Sequence, residues 1–156
     1  MLANMSEIDP RADVPPLDWS ELGMNEPLPT GTVTLLLADV QGSTQLWDSK
    51  PQEMTVAIAK LDQTLAELVG AHHGIRPVEQ GEGDSFVIAF SRASDAVTCA
   101  LALQRAPLAP LQLRIGVHTG EVQLRDENNY VGPAINRTAR LRELAHGHGR
   151  IFTMIA

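Results

Sequence analysis

The 156-residue sequence is poor in several residue types, and each shortage argues against a class of protein. A single cysteine, Cys99, excludes an internal disulfide framework. Lys and Arg number 12 against 19 Asp and Glu, so the formal net charge is −7 and the chain lacks the basic face that binds nucleic acids or anionic membranes. Aromatic residues make up only 4%, so we expect a mainly aliphatic core.

Long apolar stretches are also missing. No run approaches the roughly 18 apolar residues that span a bilayer. Residues 1–7 have neither the basic nor the apolar region of a secretory signal. We therefore expect a cytoplasmic protein that binds neither membrane nor nucleic acid. Hydrophobic residues make up 44% of the chain, which is enough for one domain with a buried core.

Prolines set the N-terminus apart from the rest of the chain. Five of the ten prolines lie within residues 1–29. Because proline fixes φ and removes a backbone donor, this segment should form neither a helix nor an internal strand. We predict a flexible leader over residues 1–29 and a folded domain over residues 30–156.

Hydrophobic spacing predicts the elements of the first half of the domain. Residues 32–38 form a short apolar run that is typical of a buried strand. Between Met54 and Leu68 apolar residues recur at steps of three and four, which indicates an amphipathic helix. Two strands follow, over residues 75–80 and 85–90, and the glycine-rich turn between them indicates a hairpin.

The second half begins with a helix that we expect Ser91 to cap and Pro107 to stop. A later helix should start at Pro133, since proline is favoured in the first turn. The remaining elements are strands over residues 111–119, 121–124 and 151–156, a polar loop over 125–131, and that later helix over 133–145.

This order of elements predicts the fold class. A β-α-β-β-α-β unit followed by β-α-β is the ferredoxin-like split arrangement with an extension. We predict an α+β fold in which the helices cover one face of a mainly antiparallel sheet. The other face and the turns at its rim would then be available to a site or a partner.

Two carboxylates stand out for chemistry. Asp39 directly follows the first strand, and Asp84 lies in the turn between the hairpin strands. In a ferredoxin-like fold these two places are neighbours, so we expect the carboxylates to lie close together. Mg²⁺ is usually held by one or two carboxylates plus substrate phosphates. Each aspartate taken singly is also typical of a turn without a ligand.

Two further groups suit a phosphate ligand. Gly42, Ser43 and Thr44 follow Asp39 and open a helix, where exposed N–H groups bind anions; an ordinary N-cap is the alternative. Asn136 and Arg140 are four residues apart and share a helix face, and a guanidinium binds phosphoryl oxygens bidentately. The alternative is a solvated polar face, of which we expect Arg137 and Arg142 to be ordinary surface charges. The acidic residues Glu121, Asp126 and Glu127 are likewise expected to form a solvated rim.

Four segments, taken in order, resemble the class III nucleotidyl cyclase catalytic domain. They are LADVQGST at 37–44, GEGDSF at 81–86, RIGVHTG at 114–120 and GPAINRTARL at 132–141. Each motif alone is weak, but their joint order and spacing make a chance match improbable. The resemblance covers about residues 30–150 and is strongest to the actinobacterial-type subgroup.

The resemblance implies a site shared between two subunits of a homodimer. Asp39 and Asp84 match the aspartates that hold two divalent ions, Mg²⁺ or Mn²⁺. Asn136 and Arg140 match the pair from the other subunit that positions the ribose and stabilises the pentavalent phosphorus. The segment that contacts the phosphates is matched by Val40, Gly42, Ser43 and Thr44.

The implied reaction is cyclisation of a nucleoside triphosphate. The substrate's 3′-hydroxyl attacks the α-phosphate, which yields a cyclic nucleotide and pyrophosphate. Gln80 and Asn129 occupy the two positions that read the base, where adenylate cyclases usually have Lys and Asp, and guanylate cyclases Glu and a small polar residue. Because an amide is both donor and acceptor, these residues could satisfy adenine or turn to accept guanine. Similar cyclases of this subgroup favour ATP, so the resemblance implies ATP, and we expect weak discrimination against GTP because neutral hydrogen bonds discriminate less than charged ones.

One departure from the family supports a second reading. The family's domain normally continues with a helix and a β-hairpin that supplies a lysine, yet no lysine follows Lys60 here. The resemblance is therefore to a C-terminally truncated domain, and a catalytically degenerate module that binds nucleotide or dimerises is the alternative. A diguanylate cyclase, which residues 81–86 faintly echo, is disfavoured because Ser85 replaces the Glu that would follow the Asp.

Overall fold

The computed structural model describes residues 27–77, 84–126 and 128–145, and the backbone of 151–155. These ranges contain four helices and five strands, with one long strand in the second half. They are β1 (Gly31–Val40), α1 (Ser43–Ser49), α2 (Pro51–Ala71), β2 (Ser85–Phe90), α3 (Ala93–Arg105), β3 (Leu113–Asp126), β4 (Asn129–Val131), α4 (Pro133–Leu144) and β5 (Ile151–Ile155).

The strands form one sheet in which β1 and β3 are central. The order β2-β1-β3-β4 is antiparallel throughout, and β5 pairs with β3 in parallel. The pairing of β1 with β2 ends at Asp39 opposite Ser85, and its pairing with β3 ends at Val40 opposite Leu113. The α+β class and the mainly antiparallel sheet agree with the sequence prediction.

One face of the sheet is covered by α2 and α3. Alternate residues of β1, namely Leu36, Ala38 and Val40, point into a cluster with the apolar stripes of both helices. The stripe of α2 consists of Met54, Ala57, Leu61 and Leu65, which are all buried. None of the helices in the described ranges has both the length and the apolar character that crossing a bilayer requires.

The opposite face is covered by α4, so the prediction that all helices lie on one face is wrong. Leu35 and Leu37 of β1 pack there in a second cluster with Ala134 of α4. Gly116 of β3 explains the close approach, because a Cβ at that position would collide with the backbone N of Arg142 and lie 2.7 Å from the carbonyl O of Thr138. A glycine in this strand therefore lets a helix lie directly on the sheet.

The strand predictions need two corrections. The segments 111–119 and 121–124 belong to the single strand β3, because Gly120 keeps its pairing with Val33 instead of ending the strand. The expected polar loop over 125–131 is a tight connection, since Asp126 pairs with Asn129 and β4 begins there.

Two local predictions also change. Ser91 does not cap α3: the residue before that helix is Arg92, which has an extended backbone and makes no side-chain cap. In the predicted strand over 75–80, Ile75 forms one antiparallel bridge with Ala89, and Arg76 and Pro77 continue no strand. Residues 78–80, the predicted turn at 81–83 and Glu127 lie outside the described residues.

The residues just before β1 pack on the α4 side of the sheet. Leu28 is buried in the second cluster, and the Tyr130 hydroxyl donates a hydrogen bond to the Pro29 carbonyl oxygen at 2.7 Å. The folded domain therefore includes at least the last residues of the proline-rich segment.

Candidate active site

Asp39 lies at the end of β1 on the α4 side of the sheet. Its side chain is only 16% exposed. Ser85 stands opposite Asp39 in the neighbouring strand, so Asp84, one residue earlier and partly buried, adjoins the same end of the sheet. The topology thus places the two aspartates on adjacent strand ends, where the sequence predicted them to be neighbours.

Arg114 holds the Asp39 carboxylate from the other neighbouring strand. The two residues are register partners. Arg114 Nε donates to Oδ1 of Asp39 at 2.8 Å, and Nη2 donates to Oδ2 at 2.5 Å. The hydrogen bond that Arg114 donates to Asp39 raises the pKa of Arg114. This bidentate pair is the strongest geometry for an ion pair between these two side chains.

Arg142 of α4 brings a second guanidinium to the same carboxylate. Its Nε lies 3.7 Å from Oδ2 of Asp39, and its side chain is 19% exposed. The expectation of an ordinary surface charge at Arg142 is therefore wrong. The physical reason is helical spacing: Thr138 and Leu141 are buried against the sheet, and Arg142 lies beside them on that stripe.

The Nε of Arg142 is also unusual in its hydrogen bonding. It is buried and has no hydrogen-bond partner in the part of the chain that the structure describes. A buried donor without a partner costs about 1–3 kcal/mol. Attraction to the nearby Asp39 carboxylate offsets part of that cost.

The turn after β1 is built by glycine. Gly42 has φ of +64°, a left-handed conformation that glycine adopts without strain, and it immediately precedes α1. The Gln41 N–H donates to the Gln112 carbonyl oxygen at 2.8 Å and fixes the turn to the start of β3. The first N–H groups of a helix have no intrahelical acceptor, so those of Ser43 and Thr44 are suited to bind an anion.

The surroundings of this turn are polar. Val40, just before it, is buried at 4% exposure, whereas Ser43 is partly buried and Thr44 is exposed. A groove of about 420 Å³ runs past Gly42, with Gln45, Lys50 and Gln112 in its wall. The turn therefore adjoins open space that a polar ligand could occupy.

Asn136 and Arg140 lie on the outward side of α4, and both are exposed. Arg140 is two residues from Arg142, which corresponds to a rotation of about 200° around a helix. Because Arg142 reaches Asp39, Arg140 faces away from it. The structure therefore does not bring Asn136 and Arg140 together with Asp39 inside one chain.

Asn129 is buried, at 3% exposure, and its amide faces the Asp126 carboxylate. The Asn129 Nδ2 donates to Asp126 Oδ1 and Oδ2 at 3.3 and 3.4 Å. The backbone N–H of Asn128 also donates to Asp126 and is the main reason why the pKa of Asp126 is lowered. An ionised carboxylate only accepts hydrogen bonds, so it keeps the amide NH₂ of Asn129 turned towards it. Its predicted partner Gln80 lies outside the described residues.

The donor set suits a hard divalent cation that is completed by a substrate. No three His, Cys, Asp or Glu side chains gather into a metal-binding group within the described ranges. Two carboxylates at adjacent strand ends are the arrangement with which proteins hold Mg²⁺ when phosphate oxygens supply further ligands. The chemistry of Asp39 and Asp84 therefore fits a divalent ion.

Three residues important to this geometry were not assigned from the sequence: Arg114, Arg142 and Asp126. Arg114 lay within the RIGVHTG motif but had no role. The helical spacing could have indicated that Arg142 is partly buried, since Arg142 borders the buried stripe of α4. Asp126 had no such signal, because its hydrogen bonds depend on the tight connection between β3 and β4.

Comparison with known proteins identifies relatives over most of the chain. The family model for the adenylate and guanylate cyclase catalytic domain matches residues 26–146. The uncharacterized protein Rv0891c of Mycobacterium tuberculosis is 68% identical over 119 residues, which cover 76% of this chain and 41% of that protein. A second M. tuberculosis protein, Rv1359, is 44% identical over 147 residues, covering 94% and 58%. The chain thus spans less than two thirds of either relative.

Proteins named as cyclases occur among relatives of lower sequence identity. A putative adenylate cyclase of Rhizobium meliloti is 32% identical over 125 residues, covering 74% of this chain and 21% of that protein. An adenylate cyclase structure from Trypanosoma brucei superposes with a TM-score of 0.72 at 25% identity, covering 83% of this chain and 77% of that one. For the guanylyl cyclase Cya2 the TM-score is 0.67, also at 25% identity, covering 82% and 77%. The chain therefore belongs to the class III adenylate and guanylate cyclase catalytic domain family.

Proposed function

We propose that two copies of this chain convert ATP into 3′,5′-cyclic AMP and pyrophosphate with two divalent ions, Mg²⁺ or Mn²⁺. The observation that carries the proposal is that the two sides of α4 present different functional residues. Its inner side brings Arg142 to Asp39, whereas Asn136 and Arg140 face outwards. A site that needs both sets of residues is completed by the outer side of a second copy, and a symmetric pair contains two such sites.

Each group of residues then has a defined task. Asp39 and Asp84 hold the ions, which when bound lower the pKa of the 3′-hydroxyl and neutralise phosphate charge. Val40 and the turn of Gly42, Ser43 and Thr44 present backbone N–H groups to the phosphates. From the second copy, the Asn136 amide orients the ribose, and the Arg140 guanidinium stabilises the charge that develops on the α-phosphate.

The orientation of Asn129 supports ATP over GTP. Its NH₂ points to Asp126, so the carbonyl oxygen is the part of the amide turned away from that carboxylate. A hydrogen-bond acceptor matches the exocyclic amino group of adenine and opposes the O6 acceptor of guanine at the same ring position. Since Asn129 is buried in the single chain, contact with a base requires neighbouring segments to move aside.

The proposal is tested by a product assay. Purified protein is incubated with ATP, or separately GTP, with Mn²⁺ or Mg²⁺, and cyclic product is quantified by chromatography. We expect cyclic AMP from the wild type and a rate about 100–1,000-fold lower from Asp39→Asn, because a transition-state contact is lost. The melting temperatures of both proteins show whether the substitution acts on chemistry or on folding.

Mixing of variants tests the shared site directly. Asp39→Asn and Arg140→Ala are each expected to be about 100–1,000-fold less active than the wild type when alone. In an equal mixture, random pairing leaves one intact site in half of the dimers and restores about a quarter of the wild-type rate. Wild-type activity of Arg140→Ala alone, or a mixture no more active than its components, would contradict a composite site.

A second candidate function is a regulatory module that binds nucleotide without turning it over. The observation that favours it is the occupation of both Asp39 carboxylate oxygens by Arg114. Saturable ATP binding by calorimetry together with no cyclic product under either metal would select this alternative.

A further inference from the structure

The Asp39 carboxylate is bound by positive charge from two separate elements. Arg114 approaches along the sheet from β3, and Arg142 approaches from α4 above it. All three side chains are largely buried, at 16%, 27% and 19% exposure for Asp39, Arg114 and Arg142. Buried charges are screened less by solvent and salt than exposed ones, so these interactions persist at physiological ionic strength.

A divalent ion at Asp39 must meet these two guanidinium groups. The ion would be held by the same carboxylate oxygens that the two guanidinium groups approach. The Arg142 Nε lies 3.7 Å from Oδ2, so the ion and the guanidinium would be close like charges. In the absence of other anions, the ion therefore competes with the arginines for Asp39.

A triphosphate changes this balance. It carries several negative charges and oxygens that accept hydrogen bonds from guanidinium groups. The Arg142 Nε is buried without a hydrogen-bond partner in the described part of the chain, so it has a donor available for a new acceptor. Phosphates that enter with the ion thus relieve the repulsion that the ion alone would meet.

We infer that Arg142 is a positioning residue that keeps metal affinity low in the nucleotide-free chain and so couples metal binding to nucleoside triphosphate binding. The inference rests on the metal role of Asp39 in the proposed function. Its effect is thermodynamic: the ion and the nucleotide each strengthen binding of the other by the same factor. Arg142 contributes to that factor because its charge opposes the ion only while no phosphate is present.

The experiment measures Mn²⁺ binding and needs no turnover. The full chain is titrated with Mn²⁺ and free ion is followed by electron paramagnetic resonance, with and without α,β-methylene-ATP, which is not cyclised. We expect Arg142→Met to bind Mn²⁺ alone about fivefold more tightly than the wild type, and the strengthening by the analogue to fall by a similar factor. Arg142→Lys keeps the charge and should resemble the wild type.

A matched control separates local from overall charge. Arg137 lies on the same helix and is exposed, so Arg137→Met makes the same change in net charge away from Asp39. We expect it to leave both affinities unchanged. Methionine at position 142 retains most of the buried aliphatic stem, and Arg142→Gln gives the same comparison if the methionine variant does not fold.

The outcomes distinguish this inference from the proposed function. Equal effects of Arg142→Met and Arg137→Met, or weaker Mn²⁺ binding by Arg142→Met, would overturn the coupling role while leaving Asp39 as a metal ligand. Mn²⁺ binding that is unchanged in Asp39→Asn, with and without the analogue, would overturn the metal assignment and both proposals with it.

Discussion

The two faces of the sheet are built from different residues. On the α2 and α3 face, apolar side chains such as Leu36, Ile88 and Ile115 fill a continuous aliphatic core. On the α4 face, a smaller apolar cluster is joined by charged groups, and the helix lies directly on Gly116. Asp39, Arg114 and Arg142 all lie on this second face.

This difference shows how one strand can serve two purposes. Successive residues of β1 point to opposite faces, so Ala38 and Val40 stabilise the core while Asp39 between them stays available for chemistry. Substitutions of apolar residues on the first face should therefore change stability, whereas substitutions of the charged residues on the second face should change binding. Gly116, on which α4 rests, should affect stability as well. Three predictions test this division, in order of decreasing effect.

The largest effect is expected in the aliphatic core. Leu61 of α2 is 2% exposed, and Leu61→Ala should lower the free energy of unfolding by about 2–5 kcal/mol, because it removes buried methyl groups and leaves a cavity. Urea denaturation measures the loss. At temperatures where the variant stays folded, Mn²⁺ affinity should match the wild type; altered affinity without destabilisation would argue against separate roles for the two faces.

A smaller effect is expected where α4 meets the sheet. Gly116→Ala places a methyl group against the backbone of Arg142 and Thr138, so we expect a loss of about 1–3 kcal/mol in unfolding free energy through overpacking. The control is Gly70→Ala in α2, where nothing lies within 4 Å of the added Cβ. That variant should gain roughly 0.5–1 kcal/mol from better helix propensity. Equal denaturation midpoints for the two variants would contradict the close packing of α4.

The smallest effect is expected in base preference. Asp126→Ala removes the carboxylate to which the Asn129 amide donates, so the variant loses one reason for keeping its NH₂ turned away from a base and should accept guanine more readily. We expect the ratio of kcat/KM for ATP to that for GTP to fall by about tenfold, which corresponds to one hydrogen bond.

Glu121→Ala is the control for base preference, since Glu121 is an exposed acidic residue of the same strand. It should leave the ratio unchanged. A ratio that is equally unchanged in Asp126→Ala would show that Asn129 does not select the base.

The core and the order of elements were largely predictable from sequence, because apolar periodicity reflects burial directly. The buried apolar residues of α2 recur at steps of three and four, and β1 is a short apolar run, so both elements can be recognised from the sequence. The position of α4 was not predictable in this way. It depends on the space left by Gly116 on one face of β3, and a glycine in a sequence indicates a turn as readily as a close approach.

The sequence motifs could nominate residues for the candidate site, but they could not predict its geometry. Motif resemblance selected Asp39, Asn136 and Arg140, whose placement at a strand end and on a helix surface agrees with the structure. It did not reveal that Arg142 reaches Asp39, because that contact joins residues 103 positions apart and depends on how α4 is rotated. Contacts of this kind are set by tertiary packing and leave no local pattern.

The central position of β1 has a consequence for synthesis of the chain. Both of its neighbours are made much later: β2 begins at Ser85, and β3 reaches its last partner at Val122. At about 5–20 residues per second, the ribosome takes several seconds to deliver them, and for that time a buried apolar strand has two open edges. Early release of the chain before Leu113 would leave one edge permanently open, so nascent fragments of this domain are natural clients for chaperones that bind exposed strands.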